Sequence, residues 1–359
     1  MNLSTPKKSL VTKPPRIAQE PLRIVCIGGG TGLSTLLHGL KLHAVDERPK
    51  VSLTAIVTVT DDGGSSGRLR RDFKVLPPGD VRNCIVALSE DEALLSKLFQ
   101  YRFSGGHGLN GHSFGNLFLT ALTHLTGDFA SAIRFASGVL ASCGTILPST
   151  TENVVIAAKL ADGTLLTGES RISRTKSMIR EIRISPRRPQ PLPATLEAIR
   201  NADLITMGPG SLFTSVIPNL LVQGIPQAIA ASPALKTFIS NLMWQPGETM
   251  NFTASDHVRA TLRHTGLKGE ERARFIEYII LNSQGISPRQ LGKYAAKRAL
   301  PVENDSAALR ALGIEVVKAE LLASSEKIRH DPKALADTVV KLARLGRRRR
   351  QIPVALQKS

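Results

Sequence analysis

The residues best suited to chemistry begin with Gly28-Gly29-Gly30-Thr31-Gly32. They follow the short apolar run Arg23-Ile24-Val25-Cys26-Ile27 and precede Leu33, Leu36, Leu37 and Leu40 at helical spacing. A glycine turn between a buried strand and a helix presents backbone N–H groups at the positive end of the helix dipole, a ready seat for phosphate. Thr31 adds a hydroxyl donor. Leu33 breaks both the dinucleotide fingerprint and the P-loop pattern, and no lysine follows. Hydride transfer and ordinary NTP hydrolysis are therefore disfavoured. The plain alternative is a tight turn without a ligand, and five such residues directly after a strand weigh against it.

A second glycine loop, Gly208-Pro209-Gly210-Ser211, leaves the run Asp203–Met207 before another helix. Two anion-type loops in one sheet suit a ligand with two ends, such as a nucleotide-sugar diphosphate. Between them lies Asp61-Asp62-Gly63-Gly64-Ser65-Ser66-Gly67-Arg68, at the end of the β-branched run Val51–Val59. Dinucleotide folds place a ribose-binding acid at such a strand end. Alternatively Asp61, Asp62 and Asp80 hold a divalent cation such as Mg2+. Gly64 lets backbone approach a ligand, and Ser65 and Ser66 add donors. In Pro77-Pro78-Gly79-Asp80-Val81-Arg82-Asn83, Asp80 serves equally well as the cap of a helix starting at Val81. Capping needs neither Arg82 nor Asn83, which have the reach to meet a phosphate or sugar. His107 and His112, before Asn116, lack metal-ligand spacing and read as turn or core histidines. Met207, Met243 and Trp244 read as sheet packing.

These loops need a frame. Strands are expected at Arg23–Ile27, Val51–Val59, Asp203–Met207, Thr237–Met243 and Phe275–Leu281, with a hairpin of Val154–Leu160 and Thr164–Glu169. Helices are expected after Gly32 and over Val81–Ser89, Glu92–Phe103, Ser113–Thr126, Asp128–Leu140, Ala194–Asn201 and Ser255–Thr265. The stretch 171–193 reads as a surface excursion. Alternating strands and helices predict an α/β, Rossmann-like fold, a mostly parallel sheet with helices on both faces. Ligands then sit beyond the carboxyl ends of its strands.

Composition narrows the classes. Residues 1–21 are polar with scattered lysine and proline, lack a signal-peptide core and read as a disordered leader. Residues 22–345 read as a single domain, and 346–359 as a basic disordered tail. Cys26, Cys84 and Cys143 form no framework, which suits structural thiols in a cytoplasmic protein. No apolar run is long enough to span a membrane. The net charge of +18 gathers at Arg171, Arg174, Lys176, Arg180, Arg183, Arg187 and Arg188, and at Arg347 to Arg350. Such charge can bind nucleic acid or a membrane surface, but no recognition motif accompanies it, so nucleic acid is disfavoured.

The motifs together resemble the YvcK/CofD-like family, and its YvcK branch in particular. They run from Ile24 to Ser34, Thr60 to Arg70, Leu76 to Asn83 and Phe99 to Phe103. Gly111-His112-Ser113-Phe114-Gly115-Asn116, Leu147 to Thr150 and Gly208 to Leu212 continue the match. Asn241-Leu242-Met243 with Gln245-Pro246-Gly247-Glu248-Thr249, Ser255 to Val258, Lys293-Tyr294 and Arg329-His330-Asp331 complete it. The resemblance implies a cytoplasmic protein that binds UDP-sugars such as UDP-N-acetylglucosamine. It links such proteins to growth on gluconeogenic carbon, cell shape and peptidoglycan precursor supply. Tyr294 and Arg329 are implied as sugar-nucleotide contacts, and a guanidinium fork suits diphosphate oxygens.

No reaction is implied for the branch, so the expectation is a regulatory protein with no required cofactor and no catalytic residue. It would have an unidentified regulatory partner, and a homo-oligomer is left open. The sister CofD branch transfers a phospholactyl group to a deazaflavin with Mg2+ held by acidic residues. This chain carries Asp61 to Gly67 where that branch carries a longer acidic run with histidine, and Trp244 where a small polar residue is expected. A CofD-type transferase is the enzymatic alternative, and a nucleic-acid or membrane-surface binder the third.

Overall fold

In the computed structural model, residues 20–46, 50–90 and 94–351 are described. Strand β1 (Leu22–Gly28) is buried almost throughout, and its side chains alternate between two cores. Ile24 and Cys26 pack into one cluster, Val25 and Ile27 into the other. A strand covered on both faces must be apolar in nearly every position, as this one is.

Beside it lie β2 (Val51–Val57) and β3 (Thr145–Pro148) on one side. On the other come β7 (Leu204–Met207), β8 (Leu235–Ile239), β9 (Tyr278–Asn282) and β10 (Glu315–Ala319). The order is β10-β9-β8-β7-β1-β2-β3, and every pairing is parallel. Helices Gly30–Asp46, Gly79–Leu88 and Pro332–Gln351 supply the first core through Leu33, Leu36, Val81, Ile85, Leu335 and Val339. Helices Pro193–Asn201, Ile225–Ala231 and Ala254–His264 supply the second through Ile199, Ile229 and Val258. The expected Rossmann-like α/β architecture is thus the observed one.

Several local expectations are corrected. The stretch 171–193 is more than a surface excursion. It contains β6 (Ile179–Ser185), which pairs antiparallel with β4 (Val155–Leu160), whose hairpin partner is β5 (Leu165–Thr167). Ile156, Ala158 and Ile182 of this small sheet join the second core, while Arg180 and Arg183 point to solvent. The first half of 58–67 is loop, but Gly64–Phe73 is a helix. Strand β8 stops at Ile239, four residues before Met243, and the chain beyond it leaves the sheet. Phe275 and Ile276 are buried in a turn ahead of β9 rather than in the strand. The helix expected over Glu92–Phe103 is Leu94–Gln100 in the described residues.

The expected tail is also corrected. Residues 346–351 are the last turns of the helix Pro332–Gln351. Arg347 and Arg350 both pair with Asp203, a carboxylate 1% exposed at the start of β7, and Arg349 pairs with Glu277. Residues 352–359, and 1–19 of the expected leader, lie outside the described residues. Among the described residues no single helix is long and apolar enough to cross a membrane.

Candidate functional site

The sheet order reverses at β1: the chain moves to β2 on one side and arrives later at β7 on the other. The helices that follow β1 and β7 pack on opposite faces of the sheet, and this is the place where open parallel sheets bind ligands. Both glycine loops leave from this point. After β1, Gly30 already begins the helix Gly30–Asp46. After β7, Gly208–Ser211 enters a π-helical turn, Leu212–Val216, in which Val216 N donates to Ser211 O at 3.0 Å.

The two loops touch. A Cβ on Gly32 would stand 2.4 Å from Pro209 O and 2.8 Å from the Gly210 Cα, so only glycine allows the approach. Asn241, just past β8, locks the second loop from the other side. Its Nδ2 donates to Gly210 O at 2.9 Å, and its Oδ1 accepts from Gly210 N at 3.3 Å. Gln245 Nε2 donates to Ser211 Oγ at 2.6 Å. The result is a cleft of about 440 Å3 bordered by Gly29 to Gly32 and Pro209 to Ser211. That volume falls in the usual range for a small-molecule site.

Carboxylates line another part of the cleft: Asp61, Asp80 and Glu169. Asp61 Oδ1 accepts from Gly63 N at 2.8 Å, a turn that fixes the carboxylate at the end of β2. Asp80 is not a cap. Its helix starts at Gly79 with Pro78 as the flanking residue, which frees the Asp80 carboxylate to reach the first glycine loop. There it accepts from the Gly30 N–H, and a Cβ on Gly29 would fall 2.6 Å from Oδ2. Burial, reinforced by the negative charge of Asp61, pushes the Asp80 carboxyl up to about 7. Burial, then the charges of Asp61 and Asp62, raise Glu169 as well, against a bond from Ser173. Behind the cleft Glu248 accepts from Phe213 N and Thr214 Oγ1, both at 3.3 Å, and braces the π-helical turn. Its burial also lifts it to about 7.

The structure brings some expected residues to this cleft and not others. Gly29, Gly30, Thr31, Gly32, Asp61, Asp80, Gly210, Ser211, Tyr294 and Arg329 line it. Gly28 and Gly208 hold the strand ends beneath it, and Asn219 Nδ2 donates to Gly28 O at 3.1 Å. Asp62 turns away: its Oδ1 accepts from Ser170 N at 2.8 Å. Ser65 and Ser66 are buried against the helix Phe114–Thr126 and the residues before it. Ser65 Oγ lies 3.0 Å from His112 Nδ1, and Asn116 Nδ2 donates to Ser66 Oγ at 3.4 Å. Gly64 starts the helix there and does not border the cleft. Asn83 accepts from Arg82 at 2.6 Å and faces a separate depression with His38 and Lys97.

This placement decides whether the carboxylates can hold a metal. Asp61, Asp62 and Asp80 do not converge, because Asp62 is engaged with Ser170. Among the described residues no group of three or more His, Cys, Asp or Glu side chains is placed to hold a metal ion. The residues present do not fit the acidic Mg2+ site that the resemblance to the CofD branch implies.

Other residues join the cleft without having been expected there. Met207 is core, as expected, but Met243 and Trp244 border the cleft, with Trp244 Nε1 donating to Phe252 O at 3.1 Å. Tyr294 accepts from Ile328 N at 3.1 Å through its hydroxyl and so anchors the segment that carries Arg329. His330 lies in the same wall, its backbone paired with Leu322. The polar motif from Gln245 to Glu248 was the available signal for the second loop's supports. Asn241 was marked only as part of the resembling motif Asn241-Leu242-Met243, without a role, and nothing marked Glu169.

Residues 24–322 match the family described as 2-phospho-L-lactate transferase CofD. The Bacillus subtilis protein named gluconeogenesis factor is 46% identical over 327 residues, 91% of this chain and 99% of that one. The Halalkalibacterium halodurans protein of the same name is 46% identical over 318 residues, 88% of this chain and 95% of that one. A crystal structure of a UPF0052-family protein from Bacillus halodurans superposes with a TM-score of 0.84 at 45% identity, covering 90% of this chain and all of that one. By family match and by relatives alike over nearly its whole length, this chain belongs to the CofD family, on the branch of the gluconeogenesis factors.

Proposed function

We propose that the cleft binds a nucleotide-diphosphate sugar of the UDP-N-acetylglucosamine type, and that the chain acts as a regulator responsive to that ligand. One observation carries the reading: two glycine loops meet at the topological switch point, with Arg329, Asp61, Asp80 and Glu169 lining the same cleft. Backbone N–H groups and a guanidinium favour phosphate oxygens. Carboxylates accept from hydroxyls and repel phosphate. A ligand satisfying both must carry phosphates and hydroxyls together, as a nucleotide sugar does. Calorimetry with the purified chain tests this. Absence of binding by every UDP-sugar at millimolar concentration sinks it.

The shared name of the relatives supports a further step. Ligand occupancy would be passed to a protein partner that adjusts carbon flow into cell-wall precursors during growth on gluconeogenic carbon. A deletion strain should then grow and keep its shape on glucose but fail on a gluconeogenic source. Equal growth and shape on both rejects the step.

A second reading, phospho-group transfer, is favoured by Asp80. A carboxyl held near neutrality in a cleft is the kind of group that moves protons in catalysis. Turnover of a nucleotide-activated phospholactate that is lost in Asp80→Asn would support this reading. Absence of turnover with and without added divalent cation removes it.

A further inference from the structure

The fold uses its two arginine clusters differently. Arg347, Arg349 and Arg350 are engaged by Asp203 and Glu277. The other cluster has no such anchor. Arg171, Arg174, Lys176, Arg180, Arg187 and Arg188 are all exposed, and among the described residues no carboxylate makes an ion pair with any of them. Nearby carboxylates are turned elsewhere: Glu181 is taken by Arg183 at 2.9 Å, and Glu169 lines the cleft. Like charges gathered within residues 171–188 repel one another, so an anionic surface laid against them is stabilising.

The backbone that carries these cations is tied to the cleft. Ser170 N donates to Asp62 Oδ1 at 2.8 Å, and a Cβ on Gly168 would fall 2.3 Å from Asp62 Oδ2. A Cβ on Gly247 would fall 1.9 Å from Thr175 O. Gly247 belongs to the motif that holds the second glycine loop through Gln245 and the π-helical turn through Glu248. Ile182 N donates to His264 Nε2 at 2.9 Å and ties β6 to the helix Ala254–His264. The short helix Glu169–Ile172 therefore faces two ways, with Glu169 in the cleft and Arg171 in solvent. Ser173 Oγ donates to Glu169 Oε1 at 2.9 Å, and the positive charge of Arg174 acts on the same carboxylate.

Composition selects the class of anion. All but Lys176 of the six cations are arginine, and Met178 and Leu165 stand more than half exposed beside the same small sheet. Protein interfaces are enriched in Arg and Met and depleted in Lys. Between Phe135 and Phe213 the chain has no Phe, Tyr or Trp. Single-stranded nucleic acid is held by stacking on aromatic rings, and membrane surfaces by amphipathic helices with apolar anchors. A helix of 4 residues followed by a strand supplies neither.

We propose that residues 171–188 are the docking site for an acidic surface of a partner protein, and that the short helix Glu169–Ile172 couples this site to the cleft. The coupling rests on the nucleotide-sugar reading; the docking site does not. Coupling between two binding sites is reciprocal, so each ligand must change the affinity of the other by the same factor.

The test uses the full chain in about 0.15 M salt, with a fluorescent decaglutamate peptide as the acidic probe. An oligothymidylate of equal charge and phosphatidylglycerol vesicles stand for the other anions. Decaglutamate should bind, and Lys176→Glu with Arg180→Glu should weaken it by about tenfold or more while UDP-N-acetylglucosamine binds as before. Arg200→Glu with Arg310→Glu changes the charge equally at exposed positions elsewhere and should leave decaglutamate binding nearly unchanged. Melting curves confirm that both variants fold. Saturating UDP-N-acetylglucosamine should shift decaglutamate affinity by about fivefold or more, and decaglutamate should shift UDP-N-acetylglucosamine affinity equally. The docking site is overturned if decaglutamate does not bind, if both variants lose it equally, or if the first variant loses UDP-N-acetylglucosamine as well. Tighter binding of the oligothymidylate, or vesicle binding that the first variant loses, overturns it too. Two affinities that ignore each other overturn the coupling. If the unmodified chain binds no UDP-sugar, the functional reading fails by itself, and the docking site is judged on decaglutamate and the two variants.

Discussion

Replacing Arg347 and Arg350 together with alanine strands a buried charge. Asp203 is 1% exposed and accepts from Arg23 N at 2.8 Å, from Arg347 Nη2, and from Arg350 Nη1 at 3.3 Å. Without the two guanidinium groups the carboxylate keeps only a backbone donor. Breaking a buried pair from one side costs about 3–5 kcal/mol. Unfolding entropy for a chain this long is about 0.75 kcal/mol/K, so the melting point should fall by roughly 4–7 °C. Adding Asp203→Asn to the double variant removes the stranded charge while its side-chain oxygen still accepts from Arg23 N. It should restore part of the loss. Scanning calorimetry at low and moderate salt reads the effect, and salt should change it little because the pair is buried. A double variant that melts within about 1 °C of the parent would refute the assignment of these arginines to the fold.

Three other outcomes are expected. Gly32→Ala drives a methyl into Pro209 and Gly210; it should cost about 1–3 kcal/mol in stability and abolish measurable UDP-sugar binding, and unchanged calorimetry would contradict the contact between the loops. Asp80 holds its proton more tightly when folded, so its contribution to stability is whole below its unfolded pKa of about 4 and is lost as pH climbs through about 7. Asp80→Asn should therefore stabilise the chain at pH 8 by roughly 2–4 kcal/mol and flatten the decline between about pH 4 and 7; a pH dependence of the denaturation midpoint unchanged from the parent across that range would count against it. Tyr294→Phe removes the acceptor for Ile328 N; a stability loss of about 1 kcal/mol with weaker ligand binding is expected, measured by urea unfolding and titration, and an unaffected affinity would detach Tyr294 from the positioning of Arg329.

The sheet was legible because its central strands are apolar on both faces. Val51 to Val57 and Leu204 to Met207 announce themselves by β-branched and apolar runs, and glycines mark where they end. Strand β10 was hidden because Glu315-Val316-Val317-Lys318-Ala319 at the sheet edge is only half apolar. The C-terminal helix was hidden for the opposite reason: four consecutive arginines read as solvated chain until Asp203 is seen beneath them. At the site, residues acting through backbone N–H groups or through a strand end were found from spacing. Residues acting through long-range contact were not. Asn241 and Gly210, 31 positions apart, meet only because β7 and β8 are neighbours. Asp62 was misplaced because adjacent aspartates look equivalent in sequence, while the helix starting at Gly64 points them to different partners.

The chain contains one tryptophan, Trp244, and it borders the cleft with its indole N–H already bonded to Phe252. Its emission is therefore a native optical probe of that wall, free of background from any other indole. Ligand entry should alter its quenching and its shielding from iodide or acrylamide. Affinities, association rates and competition between candidate metabolites can be followed on purified, unlabelled protein, with protein-free metabolite fractions added as the source of an endogenous ligand.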